Sequence, residues 1–120
     1  MDAPDPQGPD NSRHAPVTPM LRAVLLCDIV DSTALVERLG DVRAVGLMQR
    51  HDALMRQALA LCHGQLIDKA DGVLALFERP IQALDFALRY QRGLRELGTL
   101  EGVDLKARIG LHVGDVMTWA

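Results

Sequence analysis

The sequence predicts an α+β sandwich, in which helices cover one face of a mainly antiparallel sheet. Three observations support this prediction. A nearly continuous apolar run reads as a buried strand, an Asp-Gly pair between two short apolar runs is typical of a β-hairpin, and a long alternating run near the C-terminus reads as a half-buried strand. The parallel βαβ cadence of a doubly wound fold is missing from this order of elements.

Composition favours one soluble domain. The chain has 120 residues, of which 48% are hydrophobic and 24% charged, and its formal net charge is -3, so neither nucleic acid nor an anionic membrane is an expected partner. It has no transmembrane-length apolar run and no signal peptide pattern, and we expect a cytoplasmic protein. Cys27 and Cys62 lie in apolar settings without metal-ligand spacing, which predicts buried thiols.

Two segments are predicted along the chain. Residues 1–19 contain five of the six prolines among polar residues, and such a segment buries too little apolar surface to offset its ordering entropy. We expect a disordered proline-rich leader over residues 1–19 and a folded domain over residues 20–120.

The first strand, Leu21 to Cys27, leads directly into polar residues. Asp28 is expected at its exit, and Asp31, Ser32 or Thr33 at the start of a helix. Two interpretations remain open at this point. The carboxylates are helix caps only, or they belong to a site for phosphate and metal ions, which strand ends and helix N-termini often hold.

Two helices are predicted next. The first covers Ser32 to Leu39 and ends at Gly40, and the second is capped by Asp41 and runs to about Cys62. His51, in the second helix, has a neighbouring carboxylate and is interpreted as a histidine on the helix surface.

A hairpin and a third helix follow. Gln65–Lys69 and Val73–Phe77 are predicted strands around Ala70-Asp71-Gly72, where turn chemistry alone explains the aspartate. Pro80 opens a helix that fades near Gly98, and its Tyr90 is interpreted as a packing residue.

The last predicted strand alternates from Val103 to Val113. Lys106, Arg108 and His112 share its polar face, which solvation, a partner subunit or an anionic ligand would each explain. The complete order, βααββαβ, is that of a truncated ferredoxin-like sandwich.

Asp28 and Asp71 are expected to converge if the first strand lies beside the hairpin. One or two carboxylates together with substrate phosphates are the ligands that Mg²⁺ prefers. The backbone amides around Asp31 to Thr33, at a helix N-terminus, would then face a triphosphate.

Three motifs resemble those of the class III nucleotidyl cyclase catalytic domain. The first metal motif of the family is similar to Leu26-Cys-Asp28-Ile-Val-Asp31-Ser-Thr33, and the second is similar to Asp71-Gly72-Val-Leu-Ala75-x-Phe77. The strand after the second motif is similar to Arg108-Ile-Gly110-Leu-His112-x-Gly114. The motifs occur in the family's order over roughly residues 21–118.

The resemblance implies a reaction and a site. In the family, two aspartates and the carbonyl after the first hold two Mg²⁺ or Mn²⁺ ions, and these roles correspond to Asp28, Ile29 and Asp71. The expected reaction converts a nucleoside triphosphate, with ATP favoured, to a 3′,5′-cyclic nucleotide and pyrophosphate, at the interface of a homodimer. Asp31, Ser32, Thr33 and Lys69 are the expected nucleotide contacts.

Departures from the family pattern keep a second hypothesis open, that of a catalytically inactive, dimerising regulatory module. Ala70 replaces a glycine, Asp31 replaces another, and Ile67 occupies the usual purine-reading lysine position, so Lys69 substitutes only if the strand bulges or shifts. The transition-state asparagine and arginine would lie beyond Ala120, so we expect the chain alone to be inactive. A phosphoacceptor receiver domain is a third hypothesis, which would need parallel strands.

Overall fold

A computed structural model describes residues 19–69 and 72–117 of the chain. The described residues form four strands and three helices, in the predicted βααββαβ order. They are β1 (Met20–Ile29), α1 (Ser32–Leu39), α2 (Asp41–Leu61), β2 (Gln65–Asp68), β3 (Val73–Phe77), α3 (Pro80–Glu101) and β4 (Ala107–Val116).

The four strands form one sheet with the order β2-β3-β1-β4. Every neighbouring pair is antiparallel. The expected α+β sandwich is therefore confirmed, and the receiver hypothesis is wrong because that fold needs parallel strands. β1 lies in the interior of the sheet, with β3 on one side and β4 on the other. Its continuous apolar run predicted burial on both faces, but only alternate residues are buried and Leu26 on the other face is 58% exposed, because the helices cover one face of the sheet.

The core lies between one face of the sheet and the two long helices. Alternate residues of β1 and β3 point into it, together with large side chains of α2 and α3. The largest buried side chains are Tyr90, Phe77, Phe86, Leu25, Leu47, Met55 and Leu94. Cys27 and Cys62 are both buried and free, as expected.

The C-terminal strand differs from its prediction. It begins at Ala107, so Val103 and Lys106 precede it. Leu111 and Val113, which share a face with the buried residues of β1, are 42% and 45% exposed. β4 is the edge strand of the described sheet, and the helices do not extend over this part of it.

The start of α1 agrees with its prediction in position, whereas the start of α2 differs from its prediction. Asp31 occupies the N-cap position of α1, but its side chain makes no capping hydrogen bond. The residue that caps α2 is Gly40, and Asp41 lies in the first turn. Among the described residues, the helices are all too short or too polar to cross a membrane.

Candidate functional site

The candidate site is built at the end of β1. Asp28, the penultimate residue of this strand, is exposed, and its cross-strand partner on β4 is Arg108. The antiparallel register places these opposite charges side by side on the face of the sheet that the helices leave open. Within residues 19–69 and 72–117, the Asp28 carboxylate forms no ion pair with Arg108 or with another cation.

The turn after β1 directs the backbone into α1. Asp31 has φ 54° and ψ 40°, in the left-handed region that glycine adopts most readily and that aspartate tolerates. Glycine, which the sequence resemblance expects at this position, adopts this backbone geometry without strain. Because the Asp31 side chain does not cap the helix, it leaves the first amides of α1 unblocked.

The β2–β3 hairpin approaches the end of β1 through Gly72. Val73 pairs with Cys27, and a β-carbon added at Gly72 would lie 2.6 Å from the Cys27 carbonyl oxygen and 3.7 Å from the Asp28 β-carbon. This closeness requires glycine. Asp71, the second expected metal ligand, lies outside the described residues, as does Ala70.

Lys69 directly follows β2, on the opposite side of the hairpin turn from Gly72. The β2–β3 ladder shifts register by one residue between Leu66 and Asp68, so Asp68 takes the place opposite Leu74 that residue 67 would have in a regular ladder. Lys69 lies one residue further on, and its ammonium forms an ion pair of 2.5 Å with Asp52 on α2. That partner was not expected from the sequence.

Three cavities border Asp28, and two of them also include other predicted site residues in their lining. One, of about 200 Å³, reaches inward and includes Asp28, Ile29, Ser32 and Lys69 in its lining. The other, of about 460 Å³, is more open and is lined by Asp28, Ile29, Asp31, Ser32, Thr33, Ala34, Glu37 and Arg108. All the predicted site residues that the structure describes therefore adjoin one of these two cavities.

Known structures share this arrangement of elements. The adenylyl cyclase CyaB from P. aeruginosa matches with a TM-score of 0.78 and 16% identity, over 85% of this chain and 60% of that chain. An adenylate/guanylate cyclase/hydrolase from Silicibacter pomeroyi matches with a TM-score of 0.69 and 26% identity, over 86% and 62%. The guanylate cyclase domain of RhGC from Catenaria anguillulae, in complex with GTP, matches with a TM-score of 0.71 and 19% identity. The match covers 81% of this chain and 58% of that chain.

The chain has the fold of a nucleotidyl cyclase domain. No family model and no curated protein sequence matches it, so the assignment depends on three-dimensional similarity. The chain spans 60% of the length of the CyaB structure. The resemblance expected from the three sequence motifs is thereby confirmed for the fold.

Beneath the open end of this cyclase fold lies a buried polar group that the sequence analysis misjudged. His51 is 8% exposed rather than on the helix surface, and its Nε2 shares a hydrogen bond of 2.5 Å with the Tyr90 hydroxyl. The prediction for His51 was wrong because Asp52, next to it, faces outward while His51 faces α3. Tyr90 does pack, as expected, but it also supplies this hydrogen bond.

Burial changes the titration of these groups. It lowers the pKa of His51 below the ordinary value and raises the pKa of Tyr90 well above its ordinary value. Burial also raises the pKa of the Cys27 thiol to about 11, although a side-chain hydrogen bond with Tyr90 acts to lower this pKa. All three side chains are therefore neutral at pH 7, and the inner wall of the 200 Å³ cavity carries no charge from them.

The donors around Asp28 fit a hard divalent cation. The open cavity contains carboxylates and the hydroxyls of Ser32 and Thr33, and oxygen is the ligand atom that Mg²⁺ prefers. Within residues 19–69 and 72–117, three or more metal-binding side chains do not converge at any one place. The oxygen donors that the described residues bring to this cavity are therefore the side chains of Asp28, Asp31, Ser32, Thr33 and Glu37.

Arg108 and Gly72 are the site residues that the sequence analysis undervalued. Arg108 was assigned to a polar face that solvation, a partner subunit or an anionic ligand would explain, and Gly72 to a turn. Their positions beside Asp28 depend on strand order and register, which local sequence patterns do not specify. Only the family motifs could have indicated that these two residues belong to the site. Gly72 directly follows the expected metal ligand Asp71, and Arg108 begins the third motif.

Proposed function

We propose that the chain is part of a nucleotidyl cyclase catalytic domain that converts a nucleoside triphosphate to a 3′,5′-cyclic nucleotide and pyrophosphate. The observation that carries this proposal is the contact of Gly72 with Cys27 and Asp28. Gly72 directly follows Asp71 in the sequence, which supports the proposal that Asp71 and Asp28 serve one metal site.

The proposed metal ligands are the carboxylates of Asp28 and Asp71 and the backbone carbonyl of Ile29. When bound, two Mg²⁺ or Mn²⁺ ions would lower the pKa of the attacking 3′-hydroxyl and neutralise charge on the departing pyrophosphate. Asp28 is suited to this role because it is exposed and its carboxylate forms no ion pair among the described residues. Its neighbour Arg108 offsets part of the negative charge when the ions are absent.

The triphosphate is proposed to lie against the start of α1. Ser32 and Thr33, in the first turn of α1, line the open cavity, and the Asp31 side chain makes no capping hydrogen bond to their amides. Asp31 itself adds a negative charge near the phosphates, which weakens their binding unless a cation lies between them.

Lys69 is the proposed contact to the nucleotide base. It borders the inner cavity with Asp28, but its ammonium is paired with Asp52, so a base must compete with that carboxylate. We therefore expect weaker purine selection than in a typical adenylate-forming enzyme, with ATP favoured over GTP. A complete site is proposed to need a homodimer, with residues beyond Ala120 supplying the transition-state groups.

Metal binding by the 120-residue chain tests the proposal. Mn²⁺ affinity, measured by electron paramagnetic resonance, is expected to fall about 10-fold or more in Asp28→Asn and in Asp71→Asn, because each loses a direct ligand. Asp115→Asn is the matched control, because it removes the same charge near the opposite end of β1. Unchanged Mn²⁺ affinity in both aspartate variants would remove the basis of the proposed site.

An inactive regulatory module is the second candidate. The observation that favours it is the Lys69–Asp52 ion pair, which occupies the one lysine placed to reach the base. Mn²⁺-dependent ATP binding separates the two functions. ATP binding that requires both Mn²⁺ and Asp28 supports the cyclase proposal. ATP binding that depends on neither Mn²⁺ nor Asp28 supports the regulatory module.

A further inference from the structure

β4 is the longer of the two edge strands in the described sheet. It has ten residues and, among the described strands, pairs with β1 alone, whereas β2 at the opposite edge has four residues. The segment Ile109–Gly114 contains no proline and no Lys, Arg, Asp or Glu, and the β1–β4 register runs through it without a shift. Proline, charge and bulges are the features that usually protect a sheet edge, so this part of β4 is open to a further strand.

Alternate backbone groups of β4 point away from β1. The Lys106 carbonyl accepts a hydrogen bond of 2.9 Å from the Val30 amide, directly after β1. Because the C=O and N–H groups of one trans peptide point in opposite directions, the Ala107 amide points outward. This alternation repeats every two residues in a continuous antiparallel ladder. The outward positions that follow are Ile109, Leu111, Val113 and Asp115.

Gln91 on α3 occupies the outward backbone groups of Ala107. Its Nε2 donates to the Ala107 carbonyl at 2.6 Å, and its Oε1 accepts from the Ala107 amide at 3.3 Å. The side-chain amide thus makes the pair of hydrogen bonds that a residue of a neighbouring strand would make. A strand added to this edge therefore pairs from Ile109 onward and not with Ala107.

The outward positions after Ala107 fit a second copy of β4. Two copies related by a two-fold axis normal to the sheet pair antiparallel, and the contact is then the same for both. The register that uses all the outward positions from Ile109 to Asp115 places His112 opposite its own copy. Leu111 of one copy then pairs with Val113 of the other. This register makes about eight hydrogen bonds between the two strands, two for each hydrogen-bonded pair of residues.

The side chains at this edge also suit that pairing. Leu111 and Val113 are 42% and 45% exposed, and directly opposed apolar side chains on neighbouring strands would cover each other. On the other face of the sheet, Gly110 would lie opposite Gly114 of the second copy. Neither glycine has a side chain that obstructs the approach of another strand.

We propose that the outer edge of β4, from Ile109 to Asp115, is a docking site for a second copy of this strand, and that Gln91 excludes Ala107 from the pairing. The second copy is the occupant because the outward positions are symmetric about His112 and bring exposed apolar side chains together. This contact goes beyond the proposed function, since none of its residues is a proposed metal or nucleotide ligand. The metal-binding test at Asp28 therefore stands or fails independently of it.

Disulfide cross-linking tests the contact and its register. In the proposed pairing the two copies of residue 112 form a non-hydrogen-bonded pair with Cα atoms about 4.5 Å apart, a separation that a disulfide accepts. His112→Cys is therefore expected to form a covalent dimer in oxidised glutathione, in about tenfold higher yield than Gly110→Cys. The native Cys27 and Cys62 are buried, so the wild-type chain is expected to stay uncross-linked.

Gly110→Cys is the matched control for His112→Cys. Both positions lie on the same face of β4, and a β-carbon at Gly110 meets no atom within 4 Å, so the substitution does not disturb the chain. In the proposed register its Cα lies about 14 Å from its own copy, four residues along the strand, which is too far for a disulfide. Equal yields from the two variants would show that the copies meet at random, which refutes the docking site.

Hydrogen exchange tests the same contact in the wild-type chain. The outward amides of Leu111 and Val113 are expected to exchange about fivefold more slowly as rising protein concentration favours the dimer. The His112 amide faces β1, so its exchange is expected to stay the same. Slow exchange of the Leu111 and Val113 amides in a monomer would mean that the same chain covers this edge, and the proposal would then be wrong.

Gln91→Leu tests the limit that the side-chain amide sets. Leucine cannot bind the Ala107 backbone, so the Ala107 amide is expected to exchange faster. In the His112→Cys chain, Gln91→Leu is also expected to lower the cross-linking yield about twofold or more, since registers that include Ala107 then compete. Gln57→Leu, at an exposed position of α2, is the control and is expected to leave the yield unchanged. Equal yields with Gln91→Leu and Gln57→Leu would overturn the role of Gln91.

Discussion

His51 on α2 and Tyr90 on α3 share a buried hydrogen bond of 2.5 Å between Nε2 and the phenolic hydroxyl. The pair joins the two long helices directly beneath the end of β1, since both side chains also line the inner cavity next to Asp28. Tyr90 further stacks on Phe86, with ring centroids 5.4 Å apart. The support beneath the candidate site therefore combines aromatic packing with one specific polar contact.

Tyr90→Phe is expected to destabilise the chain by about 1–3 kcal/mol, because it leaves the buried imidazole without its partner while the ring stack is retained. Urea unfolding followed by circular dichroism measures this change. The double variant Tyr90→Phe/His51→Leu removes both polar groups and is expected to cost no more than the single one. Wild-type stability in Tyr90→Phe would mean that the hydrogen bond contributes nothing to the fold.

Stability is expected to fall as the pH drops below about 6.5. Burial lowers the pKa of His51 in the folded chain, against a smaller opposing effect of Asp52. The unfolded chain then binds a proton that the folded chain excludes, so the free energy of unfolding decreases through this range and is flat above it. Urea titrations at pH 7.5 and 5.5 measure the slope, and His51→Gln is expected to reduce it.

Gly72→Ala is expected to destabilise the chain by about 1–3 kcal/mol and to weaken Mn²⁺ binding. The added β-carbon would lie 2.6 Å from the Cys27 carbonyl oxygen, so the hairpin must move away from β1. Gly110→Ala is the matched control in the same sheet, since a β-carbon there meets no atom within 4 Å. Thermal melting of both variants tests the contrast, and equal melting temperatures would refute it.

Asp31→Gly is expected to keep the fold intact and to strengthen binding of Mn²⁺·ATP. The left-handed backbone at this position suits glycine, and the change removes a negative charge from the cavity where the triphosphate is proposed to lie. Asp31→Ala loses the same charge but is expected to lower stability by about 1 kcal/mol, because alanine resists this conformation. Calorimetric titration measures the affinity of each variant for Mn²⁺·ATP, and thermal melting curves measure its stability.

The sequence predicted the elements well because their signals are local. The Asp-Gly pair placed the hairpin, and Gly40 separated the first two helices where the structure separates them. The errors concern tertiary relationships. Burial of His51 depends on which side of α2 meets α3, and exposure of Leu111 depends on how far the helices extend over the sheet. Lys69 was assigned from its spacing to Asp71, which does not reveal Asp52 as its partner.

The exposed apolar side chains at the β4 edge lead to a final prediction, that the 120-residue chain self-associates. Leu21, Leu111 and Val113 are 62%, 42% and 45% exposed on one face. An edge strand with an uncovered apolar face is a typical surface for association. Sedimentation velocity at increasing concentration is expected to give a rising mean mass for the chain.

Leu111→Lys is expected to reduce that association, because a charge on an edge strand disfavours further strand pairing. Val42→Lys is the matched control, since Val42 is 88% exposed but lies on α2, away from the sheet edge. If the surface at β4 drives association, only the first variant lowers the mean mass. Equal reduction in both variants would indicate that added positive charge, rather than the β4 surface, controls the behaviour of the chain in solution.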